Sequence, residues 1–217
     1  MRHLWLHGFA SGPTSSKGQF VKQRLLERGI ELEIPDLNEP AFFDLTVTRM
    51  LQRLDVLTAG DDGIVLFGSS LGGFTAATWA ALHPDRARAL VLLAPAFELG
   101  PRWSARMDPA ELRHWRTTGR HAFDHHARGR KEELSYRFLE DAQRYPGFPL
   151  PRSPTLVIQG KLDDVVDPAL AHEFVRRMEG RADLIELQEG HELTGDLPGL
   201  WGGIERFLDA YEARPTP

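Results

Sequence analysis

Apolar residues fall along this chain in short runs, separated by longer stretches in which they recur every three or four positions. The runs "HLWLH" (3–7), "IELEI" (30–34), "IVLF" (64–67), "ALVLLA" (89–94), "TLVIQ" (155–159) and "LIELQ" (184–188) predict strands. Several show little polar alternation, the pattern of strands covered on both faces. Between them, 16–28, 41–58, 70–83 and 168–178 predict helices, and 198–211 predicts a last one. Glycine and proline punctuate the joins, as in "HPDRA" (83–87) and "RSPT" (152–155). Strand alternating with helix implies right-handed crossovers. The expectation is an α/β fold, a mostly parallel sheet of about six strands with helices on both faces.

The rhythm breaks once. From 100 to 151 the apolar pattern predicts no strand, only short helices around 109–116 and 131–144, before the proline-rich exit "YPGFPLPRSP". An insertion between two sheet strands lies over the C-terminal edge of the sheet, where ligands bind in open α/β folds. The segment is expected to form a small helical cap on one domain spanning 1–217, and the tail "ARPTP" a frayed end.

Candidate chemistry begins at "VLFGSSLGGF" (65–74). Only Ser70 sits in a Gly-x-Ser-x-Gly frame, between Gly68 and Gly72; Ser69 is flanked at the same spacing by the bulky Phe67 and Leu71. A nucleophile on a sharp strand-to-helix turn crowds its second neighbours together, and glycine relieves that crowding. The strand before and the helix formers after Ser70 supply the required context.

A serine hydroxyl needs a base, and the base needs an orienting group. Of nine histidines, His191 in "LQEGHEL" follows the last predicted strand and reaches the same sheet edge as Ser70. The acid comes from "GKLDDVVDP", where the register favours Asp163 while Asp164 and Asp167 compete. The turn "HGF" (7–9) after the first strand is expected to expose the N–H of Phe9 towards the oxyanion position, with the N–H of Leu71 as its partner; the alternative is that His7 only hydrogen-bonds the loop and Phe9 is a core aromatic. Serine, aspartate and histidine follow separate strands in that order, unlike the orders of chymotrypsin-like and subtilisin-like proteases.

With these motifs in place, "HGF", "GSSLGG", "GKLDDVV" and "GHE" together resemble the α/β-hydrolase superfamily over essentially the whole chain. Within it, the chain resembles small bacterial serine esterases and the related acyl-thioesterase and acyl-glucuronide-esterase branch with a modest cap. The resemblance implies Ser70 as nucleophile, His191 as base, Asp163 as orienting acid, and Phe9 and Leu71 as oxyanion donors. It implies a carboxylic ester or thioester as substrate, cleaved through an acyl-serine, with no metal and no organic cofactor. Amidase or peptidase chemistry on the same triad, and a non-catalytic binding protein on the same scaffold, remain alternatives. Two positions depart from the family pattern: Gln159 stands where histidine is frequent, and Asp167 where proline is. Neither is expected to carry chemistry.

The cap supplies the specificity candidates: Trp103, Trp115, Phe123, Tyr136 and Phe138 for an acyl or alcohol pocket, and Arg113, Arg116, Arg120, Arg128 and Arg130 for an acidic substrate group. "HAFDHHARG" (121–129) places His121 and His125 four apart, on one face of a helix if helical, but two imidazoles without a third ligand make a weak metal site. A formal net charge of −5 argues against nucleic acid and anionic membranes as partners. The absence of cysteine removes disulfides, thiolate metal sites and a cysteine nucleophile. The short apolar stretch at the N-terminus is too brief for a signal peptide, so a cytoplasmic location is expected.

Overall fold

A computed structural model describes residues 1–213. The chain opens with β1 (Arg2–Leu6), α1 (Ser16–Glu27), the two-residue β2 (Leu32–Glu33) and α2 (Val47–Leu57). It continues through β3 (Ile64–Ser69), α3 (Leu71–Leu82) and β4 (Ala87–Leu93). The insertion then holds α4 (Leu99–Arg106), α5 (Pro109–Thr118), β5 (Arg120–His125), β6 (Arg130–Ser135) and α6 (Arg137–Ala142). The final units are β7 (Thr155–Gly160), α7 (Pro168–Arg177), β8 (Ala182–Leu187) and α8 (Leu197–Glu212). The expected frayed end at 214–217 lies outside the described residues.

The main sheet has six strands, all parallel, in the order β2-β1-β3-β4-β7-β8. Side chains alternate between its faces because strand geometry repeats every two residues. Leu4 and Leu6 of β1, with Leu66 of β3, pack on one side with Met50 and Leu54 of α2 and Phe174 of α7. Trp5, Val65 and Phe67 pack on the other, with Val21 and Leu25 of α1 and Trp201 and Ile204 of α8. These two buried layers hold the fold together, each fully buried side chain contributing roughly 1.5–3 kcal/mol. Among the described residues no helix is long and apolar enough to cross a membrane.

This topology positions the site. The chain moves from β1 outward to β2 at one edge, then returns to lay β3 along the other side of β1. The strand ends of β1 and β3 therefore flank a topological switch point, where the loops part and leave a crevice. Leu6 pairs with Gly68, so the loop leaving β1 emerges level with Ser70. Gln159 pairs with Glu186 and Gly160 with Leu187, so the loops carrying Asp163 and His191 leave side by side.

Two expectations need correction. The insertion is not purely helical: β5 and β6 form an antiparallel hairpin, Arg120 opposite Ser135 through His125 opposite Arg130. Residues 131–135 of the helix expected at 131–144 are therefore strand, and only Arg137–Ala142 is helical. The reason is that β5 turns His121, Phe123 and His125 inward, so its alternation is carried mainly by imidazoles that an apolar count passes over. Gly129, at φ 63°, closes the turn in the left-handed region that glycine tolerates. The helix expected at 41–58 is likewise a 3-10 turn at Phe42–Asp44 followed by α2. Thr46 starts that helix, its side chain accepting from the Arg49 N–H at 3.1 Å.

Candidate active site

Ser70 stands between β3 and α3 with φ 53° and ψ −114°, a conformation costly for a residue with a Cβ. The turn is tight enough to explain both flanking glycines. A Cβ on Gly68 would lie 2.5 Å from the Gly72 carbonyl oxygen, and one on Gly72 would overlap the Leu6 carbonyl oxygen. The loop from β1 packs alongside at ordinary contact distance, since a Cβ on Gly8 would lie 3.6 Å from Ser70 Cβ.

His191 reaches Ser70 from the loop after β8. Its Nε2 is 3.0 Å from Ser70 Oγ, and its Nδ1 is 2.9 Å from Asp163 Oδ2. The Asp163 side chain is buried, and its other oxygen accepts the N–H groups of Val165 at 2.9 Å and Val166 at 2.8 Å. Burial works to raise the Asp163 carboxyl. The hydrogen bonds from His191, Val166 and Val165 outweigh it, and the group titrates below the usual carboxylate range. An ionised carboxylate only accepts, so it assigns the proton to Nδ1 and leaves the Nε2 lone pair for the serine hydroxyl.

The competing aspartates take other places. Asp164 is exposed, and Asp167 caps α7 by accepting the Ala169 N–H at 2.9 Å. Gln159, expected to carry no chemistry, is 1% exposed and donates Nε2–H to Asp163 Oδ2 at 2.8 Å. Sequence reading missed it because its partner is set by the loop that follows β7.

Phe9 and Leu71 line one cavity with Ser70 and His191, and no turn, loop or cap hydrogen bond among the described residues uses either N–H. The Phe9 ring is wedged among aromatics, 4.8 Å from Trp103, 5.3 Å from Phe42 and 5.3 Å from Phe123. His7 fixes the start of that loop: its Nδ1 lies 2.9 Å from the Gly8 carbonyl, and its Nε2 accepts the Leu37 N–H at 3.0 Å.

The cavity, about 930 Å³, corrects the expected pocket. Of the five cap aromatics only Trp103 lines it. Trp115 and Phe138 are fully buried, and Trp115 donates its indole N–H to the Leu134 carbonyl at 2.9 Å. Phe123 and Tyr136 pack against the core. The arginines are also different ones. Arg120 pairs with Glu133, while Arg128 and Arg130 pair with Glu132; Arg113 and Arg116 are exposed. Arg102 and Arg106 of α4 line the cavity instead. His125 turns onto the Phe42 ring at 4.8 Å, and no cluster of three His, Cys, Asp or Glu side chains suited to a metal occurs among the described residues.

Solved structures share this architecture at low sequence identity. Est1E from Butyrivibrio proteoclasticus, seen with ferulic acid bound, is 20% identical with a TM-score of 0.81, covering 98% of this chain and 89% of its own. Alpha/beta hydrolase domain-containing protein 10 from mouse is 20% identical with a TM-score of 0.73, covering 96% and 89%. The alpha/beta hydrolase GrgF from Penicillium sp. sh18 is 15% identical with a TM-score of 0.73, covering 98% and 90%. The fold is that of the α/β hydrolases. Residues 2–204 match the uncharacterised protein family UPF0227, and the chain belongs to that family.

Proposed function

We infer that this protein is a serine hydrolase that cleaves a carboxylic ester or thioester of small to medium acyl size. The observation that carries this reading is the continuous relay Asp163–His191–Ser70, at 2.9 and 3.0 Å, opening into a cavity beside two uncommitted N–H groups. The cavity volume suits a small organic molecule.

In this mechanism Ser70 Oγ attacks the carbonyl carbon while His191 Nε2 takes its proton. Asp163 holds the ring and stabilises the imidazolium. The N–H groups of Phe9 and Leu71 receive the charge that develops on the carbonyl oxygen. The imidazolium then gives its proton to the departing alcohol or thiol. Water, deprotonated by His191, attacks the acyl-serine and returns Ser70 to its starting state. The strained backbone at Ser70 keeps Oγ presented above the sheet without a prior rearrangement.

Labelling with a fluorophosphonate, combined with turnover of 4-nitrophenyl esters and acyl thioesters of increasing chain length, tests the reading. The wild type is expected to label and to turn over. Ser70→Ala is expected to do neither, with a rate loss of about 10⁴-fold or more. Wild-type protein that neither labels nor hydrolyses any member of the series overturns it.

A further inference from the structure

Three side chains in the wall of the Ser70 cavity take no part in the relay. Trp5 of β1 is fully buried, yet its indole Nε1–H, which only donates, meets no acceptor among the described residues. Ser15, just before α1, has a buried Oγ without a partner and does not cap the helix. The two atoms converge, since a Cβ on Gly18 would lie 2.7 Å from Ser15 Oγ and 2.9 Å from Trp5 Nε1. Lys17, in the first turn of α1, is 7% exposed. The carboxylate it pairs with, Glu192, is 4.0 Å away on a side chain that is 79% exposed. Trp5, Ser15 and Lys17 all line the cavity that holds Ser70 and His191.

Each of these features is unfavourable in the protein alone. A buried donor without an acceptor loses the hydrogen bonds it made to water. An ammonium in the first turn of a helix opposes the helix dipole, and α1 has no acidic residue in that turn to offset it. Burial pulls the Lys17 ammonium below its usual value, with Glu192 and Asp163 acting against that pull. A bound anion relieves all of these at once: it accepts from the indole and the hydroxyl, pairs with the ammonium and suits the open N–H groups at the start of α1. The wider field agrees. Arg102 and Arg106 add two further cations to the lining, which contains Glu192 as its carboxylate, in a chain whose formal net charge is −5.

We propose that Trp5 Nε1, Ser15 Oγ, Lys17 Nζ and the N-terminus of α1 form a subsite for an oxyacid anion, a carboxylate or phosphate carried by the substrate, so that the ester cleaved at Ser70 is an acidic one. The cleavage half of this statement rests on the serine-hydrolase reading; the binding half does not.

The test has a kinetic arm and a binding arm. Mono-4-nitrophenyl glutarate is compared with its methyl-capped, neutral counterpart. The wild type is expected to prefer the charged ester by about ten- to a hundredfold in kcat/KM. Lys17→Met is expected to remove most of that ratio, and Ser15→Ala to reduce it several-fold; either variant suffices if the other fails to fold. Calorimetric titration of the Ser70→Ala protein with monomethyl glutarate, dimethyl glutarate and inorganic phosphate reads binding without turnover. Binding of the monoester assigns the subsite to carboxylates, and binding of phosphate alone assigns it to phosphate groups. Equal kcat/KM for the two esters with no binding of either anion overturns the proposal, as does a charged-to-neutral ratio unmoved in both variants. Should no ester be hydrolysed while an anion binds and Lys17→Met abolishes that binding, the catalytic reading fails and the subsite stands.

Discussion

Gln159 donates to the Asp163 oxygen that faces His191: the amide Nε2 lies 2.8 Å from Oδ2, and His191 Nδ1 lies 2.9 Å from the same atom. That oxygen is therefore held from two sides, while the Val165 and Val166 N–H groups hold its partner. The carboxylate cannot rotate away from the imidazole without breaking a hydrogen bond to a buried donor. Gln159→Leu is expected to lower kcat by about tenfold while leaving KM nearly unchanged, because the ground-state pocket does not include this side chain. Unchanged kcat would show that the two backbone N–H groups suffice to orient Asp163.

Phe123 of the cap packs on Phe9 and does not line the cavity. Phe123 sits edge-on to the Phe9 ring at 5.3 Å, and the Phe9 N–H faces the oxyanion position in the proposed mechanism. Phe123→Ala opens space beside that ring and lets the loop shift. The expected result is a kcat loss of about ten- to a hundredfold, with a stability cost of about 2 kcal/mol. Steady-state kinetics and chemical denaturation of the same preparation measure the two effects separately. A change in KM alone would place Phe123 in substrate binding instead.

The elbow tolerates no Cβ at Gly72, whose ideal Cβ meets the backbone of Leu6 and His7. Backbone cannot swing aside as a flexible side chain can. Gly72→Ala is expected to cost about 3 kcal/mol or to prevent accumulation of folded protein. Gly202 in α8 is the control, because its Cβ would meet only the tip of Arg206 at 3.5 Å. Gly202→Ala should leave folding intact and add about 0.5–1 kcal/mol of helix stability. Urea titrations of the two variants against wild type decide the point.

Asp163 couples the site to acid stability. Its folded-state value lies below the usual carboxylate range, so ionisation favours the folded state. That contribution is complete above the unfolded-state value near pH ~4 and is lost as pH falls through the lower, folded-state value. Asp163→Asn removes it. Between about pH 5 and pH 3 the melting temperature of the variant should therefore fall less steeply than that of the wild type. Parallel slopes would mean that other carboxylates dominate acid unfolding.

What was legible in the sequence was local. Strand and helix periodicity placed the six sheet strands and their crossover helices, because side-chain direction repeats every two residues in one and every three to four in the other. The spacing of Gly68, Ser70 and Gly72 singled out one serine of an adjacent pair, because crowding at a sharp turn acts over two residues. The tertiary structure decided the partners. Among three aspartates within five positions, only the path of the loop after β7 sends Asp163 to His191 and leaves Asp167 to cap a helix. The β5–β6 hairpin was hidden because histidines occupy its inward positions. Trp115 and Phe138 looked like pocket residues until packing placed them in the core, and the cavity took Lys17, Arg102 and Arg106 as its cations. Burial and hydrogen-bond partnership join residues far apart along the chain, and periodicity carries no information about that distance.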